Sequence, residues 1–155
     1  MSLALGNVGD QITRFKASPP RYEQTFLTPL NDLKRFVSTL LSPFQDKEAA
    51  VLIDTVVFVP YELLEYLATE GFTPQEFLRN VQITAFDEHT LASLLEATLG
   101  EWIDFLFLPR SGKFALYADH DEFTTLFSDD LSVIEIIQNA MAKAEFKFID
   151  SYKRF

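Results

Sequence analysis

The chain has 155 residues, 48% of them hydrophobic, with 16 Phe, no Cys and a net charge of −10 from 23 acidic and 13 basic side chains. That length fits one domain with a sizeable core, and the missing cysteines exclude disulfides, thiol nucleophiles and cysteine-held zinc. An acidic chain repels polyanions, which argues against nucleic acid and anionic membranes as partners and for a cationic one.

Residues 1–25 contain Gly6, Gly9, Pro19 and Pro20 with little periodicity, and read as a flexible arm or lead-in to a single domain over 26–155. Met1–Gly6 shows no basic segment leading into an apolar one, so no secretory signal is visible and the expected compartment is the cytoplasm. Thr28-Pro29 predicts a helix carrying Leu30, Leu33, Phe36, Val37, Leu40 and Leu41 on one face. Ser42-Pro43-Phe44-Gln45 and Thr73-Pro74-Gln75-Glu76 each have the form of a capping box with proline at the first helical position, and predict two further helix starts.

Residues 51–59 have six β-branched side chains in nine, which favours a buried strand, although periodicity leaves a helix running on from Ser42 open. The run is too short to span a bilayer. Pro60 ends it and starts a helix to about Thr69, stopped by Gly71. A short strand follows at Gln82–Phe86, then a helix capped by Asp87, carrying Leu91, Leu94, Leu95 and Leu99 and closed by Gly100. Trp102–Leu108 and Lys113–Ala118 flank Pro109-Arg110-Ser111-Gly112 as a β-hairpin. Asp129 or Asp130 caps a broadly apolar helix, and Glu145–Ile149 alternates like an edge strand with Lys147 outward. The fold class expected is α+β: an antiparallel sheet of three to five strands with helices packed on one face.

The densest cluster of reactive side chains is Asp119-His120-Asp121-Glu122, where the second hairpin strand ends. Carboxylates and imidazole suit a divalent ion, and acids beside His120 would raise its pKa for acid–base work. An EF-hand loop opening at Asp119 fails, because Phe123 and Thr124 occupy its fifth and sixth positions. Strand alternation would put Asp119 and Asp121 together and turn His120 away. The competing reading is a solvated strand end, with Asp119 or Asp121 capping a following helix. His89, behind Asp87 and Glu88, reads as part of a helix start, and a metal site joining it to His120 depends on the fold. Asp54 and Asp104 interrupt apolar strands, and the simplest expectation puts each at a solvated edge.

No nucleophile elbow, P-loop, dinucleotide fingerprint or H-E-x-x-H occurs, so no cofactor is indicated beyond a divalent metal at the Asp119–Glu122 cluster. The charge is sharply uneven: residues 46–135 hold 18 acids and 4 bases, residues 1–45 hold 3 and 5, and residues 136–155 hold 2 and 4. Such a chain reads first as a non-enzymatic acidic module, of the inhibitor or immunity type, docking a basic protein. Glu62, Glu65, Tyr61 and Tyr66 on the Pro60 helix are the candidate contacts. The alternatives are a metal-assisted hydrolase or proton-transfer enzyme using His120, Asp119, Asp121 and Glu122, and a structural subunit of a homo-oligomer joined through its Phe-rich surface.

Overall fold

The computed structural model describes residues 2–75 and 77–155. Its elements run β1 (Leu3–Asn7), α1 (Gln11–Ala17), β2 (Tyr22–Leu27), α2 (Leu33–Leu41), β3 (Ala49–Val56), α3 (Tyr61–Thr69) and β4 (Val81–Ala85). They continue as α4 (Glu88–Leu99), β5 (Ile103–Pro109), β6 (Ala115–Ala118), β7 (Phe123–Ser128), α5 (Leu131–Lys143) and β8 (Phe148–Ile149). All strands join one antiparallel sheet in the order β1-β4-β3-β5-β6-β7-β2-β8.

The sheet therefore has eight strands among the described residues, which corrects the expected three to five. β7 escapes detection because Thr124 to Ser128 are all buried, so no polar–apolar alternation marks the strand. Its threonines are buried in pairs instead, Thr125 Oγ1 lying 2.7 Å from Thr25 Oγ1 and Thr124 Oγ1 2.7 Å from Thr28 Oγ1. β2 hides for the same reason, with Thr25 and Phe26 both buried at adjacent positions. The lead-in expected over residues 1–25 contributes β1, α1 and most of β2, with Leu3, Val8 and Ile12 buried.

Two of the predicted helix starts are corrected as well. Ser42–Phe44 is a turn leaving α2, and residues 73–75 and 77–80 carry no helix, with Glu76 outside the described residues. A capping box needs an amphipathic run behind it, and neither segment has one. The Thr28-Pro29 helix begins later than expected, at Leu33 behind Asp32. Residues 49–56 are strand, closing the strand-or-helix question there. The Pro60 helix, the Asp87 cap, the β5–β6 hairpin and the Asp130 cap form as their local chemistry dictates: Asp87 accepts from Thr90 N–H at 2.8 Å and Asp130 from Ser132 N–H at 2.9 Å.

The two faces of the sheet differ. Ile53, Phe105, Phe107 and Leu116 point to one face, where Phe36 and Leu40 of α2, Leu63 and Leu67 of α3, Leu94 and Leu95 of α4 and Ile137 and Met141 of α5 complete the main core. Leu52, Leu106, Ala115, Tyr117 and Phe127 point to the other, against Val8, Ile12 and Phe15 of α1 and its lead-in, and against Phe155. Among the described residues the second face is thus covered only by a two-turn helix and by the segment Ser151–Phe155, which has no regular structure. No helix among the described residues is long and apolar enough to cross a membrane.

Candidate functional site

Four of the ionisable side chains that sequence singles out, Asp54, Asp104, Asp119 and His120, find their partners on the second face. Asp54 is the extra residue where the β3–β5 register shifts between Ile53 and Thr55, and alternation from Leu52 puts its carboxylate on this face. Neither Asp54 nor Asp104 lies at a solvated edge, because β3 and β5 are interior strands of the sheet. Lys16 of α1 reaches Asp54 Oδ2 at 2.5 Å, and the Tyr117 hydroxyl donates to the same oxygen at 2.6 Å. Burial, and then that hydrogen bond, push the Tyr117 phenol well above its usual pKa. The ring of Tyr117 lies between two cations, with Lys16 Nζ 5.4 Å and the Arg154 guanidinium 5.3 Å from its centroid.

Asp104 holds His120. Its Oδ1 accepts the His120 backbone N–H at 2.8 Å and faces ring Nδ1 at 2.8 Å. That hydrogen bond, more than the charges of Asp121 and Asp119, raises the imidazole above its ordinary pKa. With Nδ1–H donated to Asp104, Nε2 is the ring nitrogen left to exchange a proton, as in a positioned general base. Asp121 Oδ1 lies 3.8 Å from Nε2.

The Asp119–Glu122 cluster has a different construction from the one its sequence suggests. It is the β6–β7 turn, closed by Asp119 N–H to Phe123 O at 3.0 Å, with Glu122 at φ +67°. No helix follows for an acid to cap. Asp119 is consumed internally: Oδ1 accepts from Asp121 N–H and Phe123 N–H, and Oδ2 pairs with Arg154. The expected pairing of Asp119 with Asp121, and of His120 away from both, is corrected, because alternation stops where the strand ends at Ala118. Among the described residues no three His, Asp or Glu side chains converge as a metal site. His89 lines a groove of about 330 Å³ between α2 and α4 with Lys34, Asp46 and Glu96. That groove is on the helix side of the sheet, so the fold does not bring His89 to His120.

A second feature sits at one end of the sheet. The register pairs Val56 with Ile103, so the bend after β3 and the turn before β5 are neighbours. From them Val57, Phe58, Tyr61 and Trp102 project into solvent, Tyr61 with 74% and Trp102 with 39% of its surface exposed. Phe58, Tyr61 and Trp102 line a groove of about 270 Å³ with Val59, Glu62 and Glu101. Burial, and then the neighbouring charge of Glu62, raise the Glu101 carboxyl above its ordinary pKa. Trp102 adopts φ +59°, the left-handed region where a bulky side chain is strained and glycine is not. Of the contacts predicted on the Pro60 helix, Tyr61, Glu62 and Glu65 are exposed. Tyr66 is half-buried against the main core and stands apart from them, its phenol raised by burial and by Glu70. Phe58 and Trp102 escape sequence reading because each reads as the apolar end of a strand.

Comparison with models of known families, with curated proteins and with solved structures finds no match to this chain.

Proposed function

We propose that this protein is an acidic docking module for a basic protein, with Phe58, Tyr61 and Trp102 at the centre of the contact and Glu62, Glu65 and Glu101 on its rim. The observation that carries this reading is Trp102. A strained left-handed turn is cheapest with glycine or asparagine, yet here it presents a half-exposed indole beside two further exposed aromatics. Exposed aromatics gathered in one place mark interaction sites, and Trp and Tyr dominate the centres of protein interfaces. The acids around them supply the charge steering that a cationic partner answers.

The chain's one tryptophan reports on the contact directly. Proteins retained from cell extract by the immobilised chain at low salt are purified and titrated against it while Trp102 emission is followed. The expected result is a blue shift, an affinity that falls by about tenfold or more between 50 and 500 mM salt, and a similar loss on Tyr61→Ala. A partner bound equally well by Tyr61→Ala, without change in Trp102 emission, would refute the reading.

The Asp104–His120 pair favours a second reading, proton transfer by His120 with Asp104 fixing its tautomer. In that reading Asp119 and Glu122 shape the turn and take no part in the chemistry. Loss of a turnover on His120→Gln, with the fold retained, is its test.

A further inference from the structure

The segment Ser151–Phe155 is bound to the protein as a ligand is bound. Among the described residues its one backbone hydrogen bond runs from Arg154 N–H to Glu23 Oε2, at 2.9 Å. Everything else that holds it is side chain. All three nitrogens of the Arg154 guanidinium donate: Nε to Thr125 Oγ1 at 3.0 Å, Nη1 to Asp119, and Nη2 to Phe123 O at 3.2 Å. It lies between the rings of Tyr117 and Tyr152 and has 5% of its side chain exposed, against 12% for Asp119. Phe155 stacks on Phe127 at 5.9 Å and meets Tyr117 edge-on at 5.1 Å and Phe15 at 6.2 Å.

The receiving surface is regular structure and the occupant is not. The slot is made by α1, β2, β6, β7 and the β6–β7 turn, and the backbone N–H groups of Asp121 and Phe123 hold Asp119 in place alongside Arg154. The occupant leaves β8 through Ser151 at φ +59° and then joins no helix or strand. Its charge is opposite to that of the acids it meets, Arg154 facing Glu23 and Asp119, while Lys16 of α1, already paired with Asp54, lies 5.8 Å from the Phe155 ring. With Arg154 withdrawn, a nearly buried carboxylate is left without a cation, and another guanidinium is what restores it.

From this geometry we infer that the slot is a docking site for an extended peptide segment in which arginine is followed by an aromatic residue, and that Arg154–Phe155 fill it in cis as a displaceable strap. The slot uses none of the residues of the Phe58–Trp102 groove and stands independently of the function proposed for that groove. Lysine does not substitute for the arginine, because one ammonium cannot span Thr125, Asp119 and the Phe123 carbonyl together.

The test uses the full-length Arg154→Ala/Phe155→Ala variant and a fluorescein-labelled Ser-Tyr-Lys-Arg-Phe peptide with blocked ends, followed by fluorescence anisotropy. The variant is expected to bind the peptide, and Asp119→Asn in the same background to abolish binding. A peptide with lysine for arginine should bind at least about tenfold more weakly. The unaltered chain should also bind at least about tenfold more weakly, because its own strap competes at millimolar effective concentration. Tyr61→Ala should change nothing, which separates this site from the aromatic groove. A folded variant that ignores the peptide overturns the inference. Should the variant not fold, Ser151→Cys in the cysteine-free chain gives a single dye position on the strap. Millimolar peptide must then raise the mobility of that dye, and no change overturns the inference equally.

Discussion

The two faces of the sheet are held down by different physics. On the helix side, Phe26, Phe36, Phe105 and Phe107 are fully buried, and four helices cover them with interlocking aliphatic side chains. On the other side a narrow apolar strip is flanked by three carboxylates, Asp54, Asp104 and Asp119, each matched to one cation: Lys16, His120 and Arg154. Burial on the first face is non-directional and tolerates no access. On the second, stability depends on paired charges supplied by a short helix and an irregular strap. An inner face of this kind opens at lower cost, and opening it uncovers charge beside a small apolar cluster.

The sharpest way to break that comparison is to excise one ring from each side. Phe105→Ala should cost about 3–5 kcal/mol, since the cavity is closed in by sheet and helices. Phe155→Ala should cost clearly less, because Phe155 is only partly buried and its strap can readjust. Urea denaturation of both variants measures the difference, and equal losses would remove the distinction between the faces.

A charge deletion comes next in size. Asp119→Ala strands the Arg154 guanidinium in a site almost closed to water, and should cost about 3 kcal/mol. The paired change Asp119→Ala with Arg154→Met should recover most of that loss, because breaking a buried pair costs more than replacing it. The double-mutant cycle decides it. Additive losses would mean that the pair is solvated and the strap loosely held.

The helix side of the molecule is far more legible in the sequence than the strap side, for a physical reason. Caps such as Asp87 and Asp130, the Pro60 start and the β5–β6 hairpin are local events, encoded within a few residues. Asp54 looks like an interruption of a strand until a bulge pairs it with Lys16 and Tyr117, 38 and 63 residues away. Arg154 meets Asp119 across 35 residues and Glu23 across 131. In the Asp119–Glu122 stretch the residue types were readable and the partners were not, because a turn, unlike a strand, does not alternate its side chains. Tyr61 is legible as an exposed position from its place behind Pro60. Phe58 and Trp102 are not, because strand-end residues give no sign of which face they leave by.

A pH titration sharpens the comparison within the strap face itself. One of its three cations, His120, loses its charge near neutrality. Its folded-state pKa is raised, so the Asp104 pair contributes its full stability below the unfolded histidine value of about 6.5 and loses it as pH rises through the folded value above that. Tm should therefore drift down across that window, and His120→Gln should flatten the drift while leaving the Lys16 and Arg154 pairs untouched. A slope that survives the substitution would place its origin elsewhere.

The smallest expected effect on stability is the one that bears most on function. Trp102→Gly removes an exposed indole and relieves a left-handed backbone, while adding the chain entropy that glycine brings to the unfolded state. These contributions oppose one another, and the folding free energy should stay within about 1 kcal/mol of wild type. Binding of a basic partner should fall by at least about tenfold in the same variant, as for a central aromatic anchor. Denaturation and binding measured side by side separate the two roles. A tryptophan that matters to the fold would show a large stability loss, and one that matters to neither would leave both unchanged. Only the combination of a nearly unaltered fold with lost binding fits a residue kept in a strained conformation for what it contacts outside the chain.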